Sequence, residues 1–521
     1  MPIPPTQELR DDHPSLQQEK SLDGDTATNG YIDISTIGLS KVEEMPASLP
    51  RKDATTSYWM ATSSDLDALS ASSTSHQTPL PSKTDVAIIG SGITGVSCAL
   101  QLAHSLPPGS NVILLEARSF CSGATGRNGG HLTAVSALAY SELAANPSHL
   151  LRHVSVDRIS ESSTRAQAIG KCVGQILSFE ANTAASIRDI IQSNGAVEEV
   201  GLTTANNWHL CFQPEEVEAF EDSLRAAQEA GLEERVSQVR RVPMTEVNEI
   251  MEHPEGIVAV YEIPGATLHP RRLVSLLLRL AQSKAVERDI SLQIFTETPV
   301  SDAPSPSPAA ESIELKTSRG PVRARHVVHA TNGYASHLLP SLAGPKGIVP
   351  TRAQVVAVAP RQSKTYWGVG ISSGGGYEYG HQRPSGLKNE PSPLFIFGGG
   401  REYAPTREWG VDDDSTLCPE VSAFLHPWLH TVFPSEYGKD VKQEWSGIMG
   451  YTASKDPMVG PVANAPNQWI AAGYSGHGMT RAFSCGRLVA DMITAKEKDE
   501  VWKCPDSFPS CYLTQSTHCE I

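Results

Sequence analysis

From residue 84 onward the apolar positions fall into two alternating periods. DVAIIG is a short β-branched run, GVSCALQLAHSL beyond a glycine turn has apolar residues at helical spacing, and NVILLEA is a second apolar run. This order, within about thirty residues, predicts a βαβ unit and a parallel sheet buried on both faces. Between residues 165 and 194, Ile169, Val173, Ile176, Phe179, Ile187 and Ile190 share one helical face, with Asn194-Gly195 as the stop. Pro214-Glu215-Glu216 opens a shorter helix through Val217, Phe220 and Leu224 that ends near Gly231. After His269-Pro270, RRLVSLLLRLAQ predicts a helix, SLQIF and HVVHAT predict strands, and the proline-rich stretch 302–310 predicts a loop. TRAQVVAVA and PLFIFGGG are β-rich. Trp469-Ile470-Ala471-Ala472-Gly473 then returns to strand and glycine turn, followed by the helical run FSCGRLVADMI.

Residues 1–80 are rich in Ser, Thr, Pro and Asp and poor in clustered apolar residues, so they are expected to be mostly disordered. Ser57-Tyr58-Trp59-Met60 is an exception, an aromatic island able to dock on the folded body. A chain of 521 residues exceeds one compact core and implies at least two domains. The net charge of -16 argues against a nucleic-acid partner. The nine scattered cysteines show no C-x-x-C pair, so neither a zinc site nor a disulfide framework is expected. The first thirty residues lack the apolar core of a secretory signal, and the apolar stretch 86–102 is broken by glycines. The expectation is a cytoplasmic protein with reduced thiols and no membrane span.

Gly90-Ser91-Gly92-Ile93-Thr94-Gly95 is a G-x-G-x-x-G turn between a strand and a helix. The first glycine permits the tight turn, the second lets backbone approach a pyrophosphate, and the third lets helix pack on sheet. Glu116 ends the next strand, where a dinucleotide fold holds ribose hydroxyls. The segment Ser122-Gly123-Ala124-Thr125-Gly126-Arg127-Asn128-Gly129-Gly130-His131 adds a second loop suited to a larger dinucleotide, with Arg127 able to meet phosphate.

Three stretches resemble the FAD-dependent D-amino-acid oxidase and glycine oxidase family, most closely its γ-glutamylputrescine oxidase-like branch. They are DVAIIGSGITG with ILLEA, SGATGRNGGHL, and AAGYSGHGMTRAFSCGRLVADMI; SYW, GATLHPRRLV, HATNGY and FGGG are weaker echoes. The resemblance implies an α/β fold, a Rossmann-type FAD-binding domain with a discontinuous α+β substrate domain containing a β-sheet. The expected map is FAD-binding domain over 84–135, 266–340 and 445–497, substrate domain over 136–265 and 341–444, and a tail over 498–521. It places Gly90, Ser91, Gly92, Ile93, Thr94 and Gly95 at the pyrophosphate and Glu116, Ala117 and Arg118 at the adenosine ribose. Gly123, Ala124, Thr125, Arg127, Asn128, Gly129, Gly130 and His131 fall on the flavin side, and Val300 at the adenine. Thr331 joins the cofactor candidates, and Gly476, His477, Gly478, Met479 and Thr480 form the loop near the flavin ring.

Departures from the resemblance shape the expectation further. Where some relatives tether flavin through cysteine or histidine, Gly447-Ile448-Met449-Gly450-Tyr451-Thr452 and SGATGRNGG carry neither, implying non-covalent FAD. Thr480 replaces a carboxylate-binding lysine, and Leu394-Phe395-Ile396 aligns with a strand that carries an oxygen-activating lysine. Both losses argue against a simple N-methyl amino-acid substrate, and the second argues against rapid reaction with oxygen. The implied chemistry is hydride transfer from the carbon beside a neutral amine to flavin N5, giving an imine, and H2O2 on reoxidation by O2 unless another acceptor serves. Candidate catalytic residues are His477, Tyr451 and Arg352; Trp445 and Tyr474 are candidate pocket walls. His477 reads equally as a packed residue holding its loop, and His269 as part of a helix start. No metal is expected. The alternatives are a dehydrogenase or tailoring enzyme on a larger metabolite, and a flavin-binding protein without turnover.

Overall fold

The alternation of the central strands decides the architecture. In the computed structural model, which describes residues 38–66, 79–154, 162–304, 312–361, 366–387, 389–390 and 393–515, Lys83–Ile89 lies between Asn111–Leu115 and Val322–His329, parallel to both. Val86, Ile88, Val112 and Leu114 turn to one face, where helices Ile93–Ser105, Pro270–Glu287 and Gly478–Glu497 cover them. Ala87, Ile89, Ile113 and Leu115 turn to the other and meet Val300, Leu315, Val322 and Ala324 of an antiparallel meander. Ser291–Phe295 and Gln468–Ala472 extend the parallel sheet at its two sides. Both faces are thus buried, as the apolar runs require.

A second sheet of eight strands joins Asn207–Cys211, Arg240–Val242, Ala259–Ile263, Val349–Pro360, Gly370–Ser373, Glu378–Gln382, Phe395–Gly399 and Tyr437–Tyr451. Trp208, Leu210, Val260, Val356, Val358, Ile371, Phe395 and Phe397 form its core face against Val421, Leu425 and Leu429 of helix Pro419–Val432. The alternate residues, including Asn207, His209, Ser372, Tyr379 and His381, occupy the opposite face. That face meets the loop after Glu116: Trp445 Nε1 donates to Arg127 O at 2.7 Å, and His381 Nε2 lies 2.9 Å from Gly129 O.

The helices expected from periodicity appear as Ser162–Ser193, Pro214–Glu229, Pro270–Glu287 and Gly478–Glu497. Two boundaries differ from expectation. A division at residue 444/445 cuts the continuous strand Tyr437–Tyr451, which pairs along Val349–Pro360 and therefore belongs to the second sheet through Tyr451. Nor does the disorder expected for 1–80 hold over residues 38–66. Tyr58 and Trp59 are buried, Thr55 N donates to Asp414 O, and Arg271 and Arg272 donate to the carbonyls of Ser63 and Thr62. Backbone groups of this polar segment find partners on the folded body, which composition cannot register. The remaining residues of 1–80, namely 1–37 and 67–78, lie outside the described residues, apart from 79 and 80. Most of the loop expected over 302–310 lies outside them as well.

Among the described residues, no helix is long and apolar enough to cross a membrane. In the C-terminal tail, Thr514 N donates to Val459 O and Arg152 Nη2 to Leu513 O. Nearby, His149, Asp456 and Cys511 bring ring nitrogen, carboxylate and sulfur within 4.8 Å of one another. His149 and Cys511 already share the Asp456 carboxylate, which also faces Arg481.

Candidate cofactor and substrate site

The first turn is built for close backbone approach. Gly90 has φ +110°, and a Cβ there would lie 2.6 Å from Ala330 O; one on Gly95 would lie 1.9 Å from Gly90 O. A Cβ on Gly92 would lie 3.1 Å from Thr125 Oγ1, which also accepts from Ile93 N at 3.3 Å. The second loop is thereby seated on the start of the first helix. Thr94 Oγ1 lies 3.0 Å from Tyr474 Oη, tying this helix to the C-terminal glycine turn. Glu116 Oε2 accepts from Ser91 N at 2.9 Å and Ser91 Oγ at 2.7 Å, while Oε1 accepts from Arg118 N at 3.0 Å. A carboxylate has about four acceptor positions, so one remains for a ribose hydroxyl. Thr298 N donates to Glu116 O, which brings the strand beginning at Val300 alongside. Ala117 follows between them, half-buried.

The residues present fit a dinucleotide. Beside the glycine turn, the hydroxyls of Thr331 and Ser122 are buried without a hydrogen-bond partner among the described residues. Gly123 and Ala124 lead into a short turn over Ala124–Arg127, and both are half-buried. Arg127, however, does not extend toward a phosphate. Its guanidinium donates to Ser122 O, Thr55 O and Ser446 O and faces Asp414 at 3.4 Å. Burial draws it down to about 10 despite Asp414. Arg118 is likewise engaged by Asp414 and Ser122 O. Asp414, invisible to local sequence reasoning, anchors both arginines.

Asn128 Oδ1 accepts from Gly130 N, and a Cβ on Gly129 would fall 2.4 Å from the Tyr379 ring. Gly130, at φ +77°, packs on Leu268 O and Trp59. His131 follows, its ring 5.8 Å from that of Tyr379. His269 caps the helix Pro270–Glu287 through Nδ1 and meets Thr62 through Nε2, which is the helix-start role.

The C-terminal turn places Gly476 at φ +90° and His477 as the residue preceding helix Gly478–Glu497. Met479 is buried on its first turn. Thr480 Oγ1 donates to Glu180 Oε2 at 2.7 Å, Arg481 Nε donates to Glu180 Oε1 at 2.6 Å, and Val135 N donates to Glu180 Oε2 at 3.0 Å. His477 Nδ1 lies 3.5 Å from the same carboxylate, with its side chain 45% exposed. Although burial opposes its charge, Arg481, His477 and Thr480 hold the Glu180 carboxyl well below the usual carboxylate range. Glu180 lies on the long helix Ser162–Ser193 among apolar positions. An acid on an otherwise apolar helical face was its available signal.

Tyr451 stands beside Gly476, with its hydroxyl 3.4 Å from where a Cβ would sit. Tyr451 thus stands at the Gly476 turn that leads into His477, and it interacts electrostatically with Tyr379, which packs on Gly129. Arg401, missed from sequence, stacks on Trp409 at 4.2 Å and Tyr451 at 4.8 Å. Arg352 is not placed with them as a free cation: it is paired with Glu408 and donates to Thr416 Oγ1. Trp445 is fully buried against Arg127 O, and the Tyr474 hydroxyl is turned inward to Thr94 and Ala471 O.

Residues 85–492, more than half of the chain, match the family model described as DAO, FAD dependent oxidoreductase. The chain belongs to this family. Gamma-glutamylputrescine oxidoreductase of Escherichia coli (strain K12) is 26% identical over 417 residues, covering 78% of this chain and 83% of that protein. The probable oxidoreductase OrdL of Haemophilus influenzae is 22% identical over 422 residues, covering 80% and 84%. Among solved structures, glycine oxidase from Geobacillus kaustophilus superposes with TM-score 0.57 at 18% identity, covering 79% of this chain and 95% of that one. L-amino acid deaminase from Proteus vulgaris, with a deletion of its specific insertion sequence, gives TM-score 0.57 at 16% identity, covering 85% and 96%. As a DAO-family member, the protein is an FAD-dependent oxidoreductase, and the glycine cradle and unpartnered Thr331 and Ser122 hydroxyls suit that cofactor.

Proposed function

We propose that this DAO-family protein oxidises a carbon–nitrogen bond of an amine or amino-acid-like compound, giving an imine, with O2 or another acceptor removing the electrons. The observation that carries the reading is the meeting of three elements: the Gly129 loop, the polar sheet face with Tyr379, and the Gly476 turn beside Tyr451. Two of the relatives, a gamma-glutamylputrescine oxidoreductase and a glycine oxidase, agree in substrate type. When bound, FAD supplies a hydride acceptor at N5. The chain's own work is positioning and electrostatics.

Gly90, Gly92, Gly95 and Thr125 would hold the pyrophosphate and Glu116 the ribose, with Asn128, Gly129 and Gly476 to Gly478 around the ring system. The first turn of helix Gly478–Glu497 directs N–H groups toward that end, favouring negative charge there. Tyr379 and Tyr451 would hold the substrate carbon in place and exclude water, and His477 would sit at the turn with Glu180 fixing its orientation. Arg352 has no part in this reading.

One observation favours an acceptor other than O2. The stretch Leu394-Phe395-Ile396, which resembles a strand that carries an oxygen-activating lysine in relatives, has Ile396 buried in an apolar cluster with Tyr58, Trp59 and Trp445. The test is to purify the coloured protein, identify the chromophore and mix it anaerobically with a panel of amines and amino acids. Bleaching by at least one supports the reading, and peroxide formation in air separates oxidase from dehydrogenase. If no amine or amino acid bleaches a correctly loaded protein, the reading is overturned.

A further inference from the structure

The C-terminal tail is held to the folded body where three side chains of metal-ligating type meet. Cys511 lies in the short turn Ser510–Tyr512, Asp456 in the loop after strand Tyr437–Tyr451, and His149 in the short helix Pro147–Leu150. His149 Nε2 lies 2.9 Å from Asp456 Oδ2, Cys511 Sγ lies 3.7 Å from the same oxygen, and the three ligand atoms all lie within 4.8 Å of one another. A tetrahedral Zn2+ with bonds of about 2.0–2.3 Å holds N, O and S ligands about 3.3–3.6 Å apart. Asp456 Oδ2 is therefore within a few tenths of an ångström of that spacing to both partners. Separations of 307 and 55 residues from Asp456 leave no local signature of such a site in the chain.

The surroundings orient these ligands. Asp456 N donates to Ser454 Oγ at 3.3 Å, and its carbonyl accepts from Thr452 Oγ1 at 2.8 Å, which fixes the loop. Its Oδ1 faces Arg481 Nη1 at 3.6 Å, leaving Oδ2 to His149 and Cys511. The charge of Arg481 is balanced by Glu180, and Arg152 donates to the carbonyls of Cys511 and Leu513. A second observation points to a guest at this place. The Tyr512 hydroxyl is fully buried, has no hydrogen-bond partner among the described residues, and interacts electrostatically with Asp456 and Cys511. A water in the fourth position of a metal ion is the kind of partner this hydroxyl lacks. His149 is the outermost ligand, with its side chain 13% exposed.

We propose that His149, Asp456 and Cys511 form a Zn2+ site that clips the C-terminal tail to the body. Thiol and imidazole select zinc over the hard cations Mg2+ and Ca2+, which take oxygen ligands. Burial raises the Cys511 thiol well above its usual value, so the sulfur gives its proton to water as it bonds to the ion, and the imidazole binds unprotonated. Thiolate and carboxylate together cancel the charge of a divalent ion, which leaves the buried cluster neutral. The clip reinforces the contact of Thr514 N with Val459 O and the grip of Arg152 on the tail.

The test uses the full-length, FAD-loaded protein, stripped of metal with a chelator and titrated with Zn2+ or Mg2+ against a colorimetric zinc indicator. A single Zn2+ binds per chain with micromolar or tighter affinity, and Mg2+ does not displace it. Co2+ in its place gives the d–d absorption of a tetrahedral thiolate site, at longer wavelengths than the flavin bands. Cys511→Ser and His149→Gln each weaken Zn2+ binding by about a hundredfold or more, while circular dichroism and bound FAD remain as in the wild type. Zn2+ raises the Tm of the wild type and not that of either variant. Should Cys511→Ser fold poorly, His149→Gln, at the outermost ligand, carries the same expectation. No Zn2+ binding by the wild type, equal affinity in the folded variants, or Mg2+ bound as tightly as Zn2+ overturns the site, and the three side chains then serve only as a hydrogen-bonded anchor.

Discussion

The indole N–H of Trp59 donates to the carbonyl of Asn128 at 2.6 Å, joining the N-terminal segment to the glycine-rich loop 122–131. Ser57 Oγ donates to Gly126 O at 2.6 Å in the same seam, and Arg383 lies over the Trp59 ring at 5.3 Å. A segment well before the G-x-G-x-x-G turn in sequence thus holds the back of the 122–131 loop. Trp59→Ala is expected to cost about 3–5 kcal/mol of stability and to weaken FAD binding. Urea unfolding and FAD titration of the apoprotein measure both, and unchanged FAD affinity in a folded variant would remove the coupling.

Glu180 joins the Val135 backbone to Thr480 and Arg481. Glu180→Gln leaves Arg481 facing a neutral amide at this contact and is expected to cost about 3 kcal/mol near neutral pH. Because the folded carboxyl is held below its ordinary value, its contribution is present above about pH 4.5 and disappears as pH falls through the folded value. The wild type and the variant should therefore converge in stability on acidification, as unfolding curves at stepped pH would show.

His131, His209 and His329 respond to pH over a different range. Burial pushes each down to about 4, so the unfolded chain binds more protons between about pH 6.5 and pH 4. Their stabilisation is complete above about pH 6.5 and declines below it, by about 3 kcal/mol per histidine near pH 4. Replacing His329, which sits away from the proposed site against Gln468, with Gln should flatten its share of the slope. Identical slopes would show that His329 titrates alike in both states.

Gly95→Ala should abolish FAD uptake, because the added carbon would lie 1.9 Å from Gly90 O and force the helix from the turn. Gly109→Ala serves as a control for a glycine with nothing within 4 Å of its Cβ, although its φ of +83° carries a modest backbone cost. Absorbance of the purified variants near the flavin bands decides the matter.

Acid precipitation should release all colour into the supernatant, since Met449 and Thr125 stand in segments without a tethering side chain. Colour retained on the pellet would establish a covalent bond through another residue.

The nucleotide turn was legible in the chain because its chemistry is local. Gly90, Gly92, Gly95 and Glu116 act through backbone space and a strand end, and both follow from short-range spacing. The long helix, the proline-led helices and the apolar strands followed from periodicity for the same reason. Several short strands, such as Gly370–Ser373 and Glu378–Gln382, carry too few apolar positions to announce themselves, and they form by pairing with distant partners.

What the sequence by itself determined was the dinucleotide scaffold and its glycine turns, since these depend on residues a few positions apart. Only the tertiary structure decided which polar groups are free. Arg127 and Arg352 look available in the chain but are claimed by Asp414 and Glu408, while Glu180 and Asn207 look ordinary and become a junction and an unpaired acceptor. Charge and hydrogen-bond capacity are settled by whichever partners the fold brings within a few ångströms, and those partners lie tens or hundreds of residues away.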